Sequence, residues 1–291
     1  MFAGPNGSGK STLKDVISAD RLGVYINPDD LERQVRQTGV LDFSEYRLQL
    51  SRSEVLPFFT GSELLAKVDR LGLVDRLEVT GNRLHVAPED ADSYFASVLC
   101  DLIRRRLLAQ RTSFTFETVM SSPDKVRLLH NAQRLGFRTY LYYVATEDPA
   151  INISRVRNRV SLGGHNVPAD KIISRYARSL DLLLAAIRYS NRAYLFDNSG
   201  EGEERMWIAE VTEGVELEFK TVLIPNWFHR AVLEKVAPSS EPVPAELAKP
   251  QKRAPRPKAQ VPKPPTSKKA VVSKSGPSTH PKVNSGKERK K

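Results

Sequence analysis

Residues 4–12 read Gly-Pro-Asn-Gly-Ser-Gly-Lys-Ser-Thr, and this stretch limits the fold more than any other. The spacing G-x-x-x-x-G-K-[ST] is met at every fixed position from Gly4 to Ser11. Glycines let the backbone close around a phosphate and aim its N–H groups inward, and a helix that follows adds its positive N-terminal end. "STLKDVISA", residues 11–19, has the composition of that helix, predicted over 10–19. On this pattern Gly4, Asn6, Gly7, Ser8, Gly9, Lys10, Ser11 and Thr12 form a nucleotide cradle, with Lys10 reaching the β- and γ-phosphates and the Ser11 hydroxyl holding Mg²⁺. Such a loop follows a buried strand, and only Met1, Phe2 and Ala3 precede it. A parallel strand commonly runs about five residues, so the first strand is expected to be truncated, and apolar residues added upstream are expected to raise the melting temperature.

The rest of the body supplies strands for that loop to join. "LGVYIN" (22–27), "SFTFETV" (113–119), "TYLYYVAT" (139–146) and "AYLFDN" (193–198) are short runs rich in β-branched and aromatic residues. Helical stretches lie between them at about 90–110, 123–135, 149–161 and 169–190, the third opening on Asp148-Pro149 as an N-cap and N1 proline. Alternation of this kind predicts an α/β fold, a P-loop-type parallel sheet covered by helices on both faces, with ligands at the carboxyl ends of the strands. Residues 41–88 break the alternation. They combine a helical stretch with a hairpin turning at Gly81-Asn82 and are expected to be an inserted subdomain that either shapes substrate choice or decorates the fold.

The net charge of +11 suggests nucleic acid until it is located. Residues 238–291 hold 14 Lys and Arg against 3 Asp and Glu, which is the whole excess, and residues 1–237 hold 31 of each sign. That last segment is rich in Lys, Pro and Ser with few large apolar residues, and is expected to be a disordered basic tail that touches nucleic acid or anionic surfaces through charge alone or solubilises the chain. The domain expected to carry chemistry is therefore 1–237. No run of 18 apolar residues predicts a membrane span, and no charged segment followed by an apolar one predicts secretion. The lone Cys100 excludes an internal disulfide and fits a reducing compartment, so a cytoplasmic location is expected.

Several polar residues fall where such a sheet binds ligands. Asp29 and Asp30 follow the strand ending at Asn27, so a carboxylate stands beside the phosphate loop, able to take the proton of an attacking hydroxyl. Asp30 suits the alternative role of capping the helix that begins near Leu31. Glu117, with Thr118 beside it, ends the strand "SFTFE", placed to bind a substrate hydroxyl or Mg²⁺ through water. Arg155 and Arg159 are four apart on one helix face, with Arg157 pointing elsewhere, and that helix precedes "SLGGHNVP", a lid-like layout whose arginines can neutralise a moving phosphoryl group. Arg175 and Arg178 share a face of the next helix, and Arg175 and His165, in the loop between, are candidate substrate contacts. Asn198 closes the last strand and fits either an adenine contact or a turn.

Taken in order, "AGPNGSGKST", "INPDD", "FTFETVMSS", "RVRNRVSLGGHNVP", "ISRYARSL" and "YLFDNS" span residues 3–199 and resemble the zeta toxin family, in particular its chromosomal branch of P-loop kinases. The resemblance implies ATP-dependent phosphorylation of a sugar hydroxyl, with UDP-N-acetylglucosamine as the acceptor of the best-known members and an antitoxin protein as partner. It implies Asp29 as catalytic base, Arg159 as lid arginine, substrate contacts at Glu117 and Thr118, and a place near the base for Asn198. The insertion at 41–88 and the basic tail lie outside the family pattern. An alternative makes the tail primary, in a nucleic-acid-associated NTPase or polynucleotide kinase. A nucleotide-binding relative without catalysis is a third reading.

Overall fold

A computed structural model describes residues 1–13, 17–164, 166–200 and 205–236. The expected loop histidine, His165, and the basic tail lie outside these residues. The elements run in chain order β1 (Phe2–Ala3), α1 (Ala19–Leu22), β2 (Val24–Ile26), α2 (Pro28–Thr38), β3 (Val40–Asp42), α3 (Arg52–Thr60), α4 (Glu63–Lys67), β4 (Glu78–Thr80), β5 (Arg83–His85), α5 (Ser93–Ala109), β6 (Phe114–Thr118), α6 (Asp124–Arg134), β7 (Tyr140–Ala145), α7 (Pro149–Ser161), α8 (Ala169–Arg188), β8 (Arg192–Asp197), β9 (Met206–Thr212) and β10 (Glu216–Phe219), followed by helical turns over 226–236. All four strands expected from the longer apolar runs are present, within two residues of their expected ends.

The main sheet has the order β10-β9-β8-β7-β1-β6-β2. β2, β6, β1, β7 and β8 are mutually parallel, and β9 and β10 add two antiparallel strands at one edge. The chain leaves β1 toward β2 on one side and later continues through β7 on the other. The end of β1 is therefore the switch point at which such sheets take ligands. β1 is two residues long yet central, with Phe2 and Ala3 fully buried between β6 and β7.

Register sorts the two faces. Phe2 pairs with Glu117 and Tyr142, and Tyr142 with Tyr194, so these four point to one side. There Phe2 packs with Leu13 and Val144, alongside Ile17, Leu22 and Phe196. The opposite face carries the larger core with α5, α6 and α8. Arg104 of α5 lies 5.1 Å over the Phe116 ring, and Tyr143 of β7 shares a 2.9 Å hydrogen bond with Ser179 of α8.

The structure bears on two further expectations. The first concerns the helix expected over 10–19. Lys10–Thr12 form a 3-10 turn and α1 begins at Ala19; residues 14–16, the middle of the expected helix, lie outside the described residues. Thr12 Oγ1 donates to the Gly9 carbonyl at 2.9 Å and Ser11 Oγ to Glu117 at 3.2 Å, so the hydroxyls bond locally or across the sheet, the competition with helix that Ser and Thr offer. The second concerns 41–88, which is the expected insertion with a sheet of its own, packed onto the body. Its antiparallel sheet β3-β5-β4 turns at Gly81 as expected, but Leu41, Phe59, Leu65 and Leu84 are buried in the same core as Phe95 and Leu99 of α5. The Phe59 and Phe95 rings stack at 5.3 Å.

Candidate active site

The loop 4–12 leaves β1 at the switch point and is gripped from three sides. Gly4 has φ 144°, and a Cβ there would stand 2.0 Å from the Val144 carbonyl oxygen, so no side chain fits between β1 and β7. Gly4 N donates to the Thr118 carbonyl at 3.3 Å, tying the loop to the end of β6. From α7, the buried Asn152 donates through Nδ2 to the Asn6 carbonyl at 2.6 Å. Beyond β8, Asn198 Nδ2 donates to the Ser8 carbonyl at 2.9 Å.

Lys10 folds back over this loop, its Nζ donating to the Pro5 carbonyl at 2.8 Å. Burial lowers its pKa to about 8; Glu117 and Asp29 oppose that shift and Arg159 adds to it. Lys10, Glu117, Asp29 and Arg159 therefore share one electrostatic neighbourhood. Ser11 Oγ donates to Glu117 Oε2 at 3.2 Å, and the Tyr25 hydroxyl donates to Oε1 of the same carboxylate. Burial first, then Glu117, raises the Tyr25 pKa, which keeps the phenol a donor. Among the described residues no three His, Cys, Asp or Glu side chains gather to hold a metal. A serine hydroxyl beside one carboxylate is instead the sparse hard-oxygen set that suits Mg²⁺, which keeps waters and phosphate oxygens as its other ligands. The donor chemistry fits.

Asp29 stands across from Arg159, 3.8 Å away, with side chains 57% and 42% exposed, both open to solvent at the mouth of the site. α2 sets this position. Asn27 is its N-cap and accepts from the N–H groups of Asp29 (2.9 Å) and Asp30 (3.4 Å). Asn27 thus takes the capping role expected of Asp30, which pairs with Arg33 at 3.1 Å. Asn27 stands at the N-cap, one residue before the N1 proline Pro28, where a side-chain oxygen meets the N–H groups of the first turn.

Other expected site residues are engaged elsewhere. Arg155 donates to the carbonyls of Asn198 (2.6 Å) and Gly200 (2.9 Å), so it clamps the turn after β8 and is not turned toward an acceptor. Asn198, with its amide on Ser8, holds the loop where an adenine contact was expected. The Thr118 hydroxyl accepts from Met120 N at 3.0 Å and fixes the turn after β6. Arg175 is half-buried on α8 with no ion pair among the described residues, and Arg178 bonds the Ser174 carbonyl of its own helix. Asp148 caps α7 through Ala150 N at 2.7 Å, as expected. Three participants escape a reading of the sequence. Tyr25 lies in a recognisable strand, but strand composition alone leaves its register against Glu117 open. Asn152 and Arg205 reach the loop from 146 and 193 residues away.

No family model matches the chain. It is 29% identical over 176 residues to an uncharacterized protein of Haemophilus influenzae (strain ATCC 51907 / DSM 11121 / KW20 / Rd), covering 60% of this chain and 90% of that protein. Three crystal structures of AvrRxo1-ORF1 with ORF2 are similar in part. The complex with ATP gives a TM-score of 0.48 at 14% identity, that with sulphate ions 0.47 at 16%, and the native complex 0.49 at 15%. In each the match covers 75% of this chain and spans only 60% of the solved one.

Proposed function

We propose that the chain transfers the γ-phosphoryl group of ATP to a hydroxyl of a small molecule. The observation that supports this most is the convergence of Lys10, the Ser11–Glu117 pair, Asp29 and Arg159 around one glycine loop at the sheet's switch point. In this reading the loop N–H groups and Lys10 bind the phosphates. Ser11 and Glu117 would hold Mg²⁺, which would supply charge neutralisation for the phosphates. Asp29 accepts the proton of the acceptor hydroxyl as its oxygen bonds to the γ-phosphorus, the bond to the bridging oxygen breaks, and ADP leaves. Arg159, opposite Asp29, stabilises the charge on the phosphoryl group in flight. Asp29 and Arg159 face each other across the open mouth, where the acceptor hydroxyl and the γ-phosphate would come between them.

The resemblance to zeta toxins supports a nucleotide sugar as the first acceptor to try, UDP-N-acetylglucosamine before others, a cytoplasmic setting, and an antitoxin-type protein as partner. The test is direct: incubate the chain with ATP·Mg²⁺ and a panel of hydroxyl metabolites including UDP-sugars, and follow gain of one phosphoryl group by mass. Asp29→Asn is expected to bind ATP as before and lose about 10²–10⁴-fold in turnover, the range of a positioned general base. Full turnover in that variant refutes the assignment of the base.

A further inference from the structure

β9 begins at Met206, which pairs with Asp197 as the last rung of the β8–β9 ladder. The next residues outward are Asn198 on one strand and Arg205 on the other. Register therefore brings Arg205 to the same place as Asn198, against the nucleotide loop. Asn198 grips the loop at Ser8. Arg205 reaches its other limb, where Nη2 donates to the Thr12 hydroxyl and that hydroxyl donates onward to the Gly9 carbonyl at 2.9 Å. Gly9 has φ 94°, and a Cβ there would come within 3.9 Å of Arg205 Nε. The guanidinium thus lies beside the Gly9–Thr12 turn, at the start of a strand of the main sheet, half-buried and aimed by a hydrogen bond.

Its side of the loop matters. Lys10, Ser11, Glu117, Asp29 and Arg159 gather where the γ-phosphate reacts. In loops of this type the lysine reaches the β- and γ-phosphates, while the backbone cradles the α- and β-phosphates. A planar guanidinium presents several N–H donors in a fixed fork that suits phosphate oxygens. We propose that Arg205 is a nucleotide-binding residue that grips the α-phosphate end of the bound nucleotide, setting affinity for the nucleotide rather than the rate of phosphoryl transfer. This rests on the reading of the loop as an ATP site and adds a cation that the sequence motif does not contain.

The two Arg roles separate in one experiment, titration calorimetry of the full chain with ADP·Mg²⁺ and ATP·Mg²⁺ plus steady-state kinetics. Arg205→Met is expected to weaken ADP and ATP by the same factor, about 10–100-fold, as loss of a charge-assisted contact gives, with kcat within about twofold of wild type and KM for ATP raised. Arg205→Lys is expected to recover part of that affinity. Arg159→Met, as a control, should leave ADP binding intact and lower kcat. Wild-type ADP affinity in Arg205→Met overturns the proposal, and so does loss of ATP binding with ADP binding retained. If the Met variant melts below wild type, Arg205→Gln carries the test, and wild-type ADP affinity there has the same meaning. A wild-type chain that binds neither nucleotide sinks both this inference and the ATP-site reading; nucleotide binding that ignores Arg205 sinks this inference alone.

Discussion

At the residue scale, Lys10 ties pH to nucleotide binding. Burial holds its pKa near 8, against 10.5 for an ordinary lysine. The phosphates need the charged form, so apparent ATP affinity is expected to hold from about pH 6 to 8 and then fall, by up to about tenfold per pH unit, as the free protein loses that proton. The sign for folding is the opposite. The unfolded chain keeps the proton to higher pH, so Lys10's contribution makes the fold more stable as pH rises from about 8 toward 10.5. Calorimetry at pH 7 and 9 checks the first statement, and flat affinity across that interval would put Lys10's ammonium away from the phosphates. Asn152 is the other decisive side chain. It is fully buried, accepts from Thr146 and donates to Asn6. Asn152→Ala removes the amide that the Asn6 carbonyl accepts from and the oxygen that the buried Thr146 hydroxyl donates to, a loss of about 1–3 kcal/mol. Thermal denaturation should register that loss, and ATP binding should weaken with it because the loop loses its support on the α7 side.

At the element scale, the insertion is the informative case. The hairpin at Gly81 and the change of rhythm at 41–88 were legible in sequence, but how the insertion joins the body was not. Period and turn residues report where an element starts, not which core its apolar side chains join. Phe59 stacks on Phe95, and the fully buried pair spans the insertion and α5. Buried Asp90 accepts from Arg76 Nε at 2.8 Å, with Arg70 3.6 Å away, just before the α5 N-cap Asp92. Phe59→Ala should therefore cost about 3–5 kcal/mol and lower the melting point of the whole body in one transition. Trp207 and Trp227, on β9 and in the 226–236 turns, give a fluorescence probe remote in sequence from Phe59. Coincidence of that signal with far-UV circular dichroism is the expected result; two separated transitions would mark the insertion as an independent subdomain. The stretch after the loop is the other case: Lys10–Thr12 wind as a 3-10 turn where an α-helix was expected, with the Thr12 hydroxyl turned back onto the Gly9 carbonyl and the Ser11 hydroxyl onto Glu117.

At the scale of the whole molecule, sequence named groups that meet and not the scaffolding that brings them together. Glycine spacing, the strand ending in Glu117 and the aspartates after Asn27 named the groups that meet, because each sits at the end of an element with a strong local signature. Asn152 and Arg205 carry no such signature, and only the order in which β1, β7, β8 and β9 assemble brings them to the loop. Charge, by contrast, is a property of composition and is fully readable: residues 1–237 balance to zero and residues 238–291 carry +11. A body without net charge offers little to a polyanion, whereas a segment with a large excess of Lys and Arg releases counterions wherever it meets phosphate. The full chain is therefore expected to be retained on a heparin or single-stranded DNA column at low salt and to elute steeply as salt rises, while a chain ending at residue 237 passes through and keeps any phosphotransfer activity. Retention of the shortened chain would move nucleic-acid binding onto the folded body and favour a polynucleotide as the phosphoryl acceptor; activity lost with the tail would mean that the basic segment takes part in the reaction.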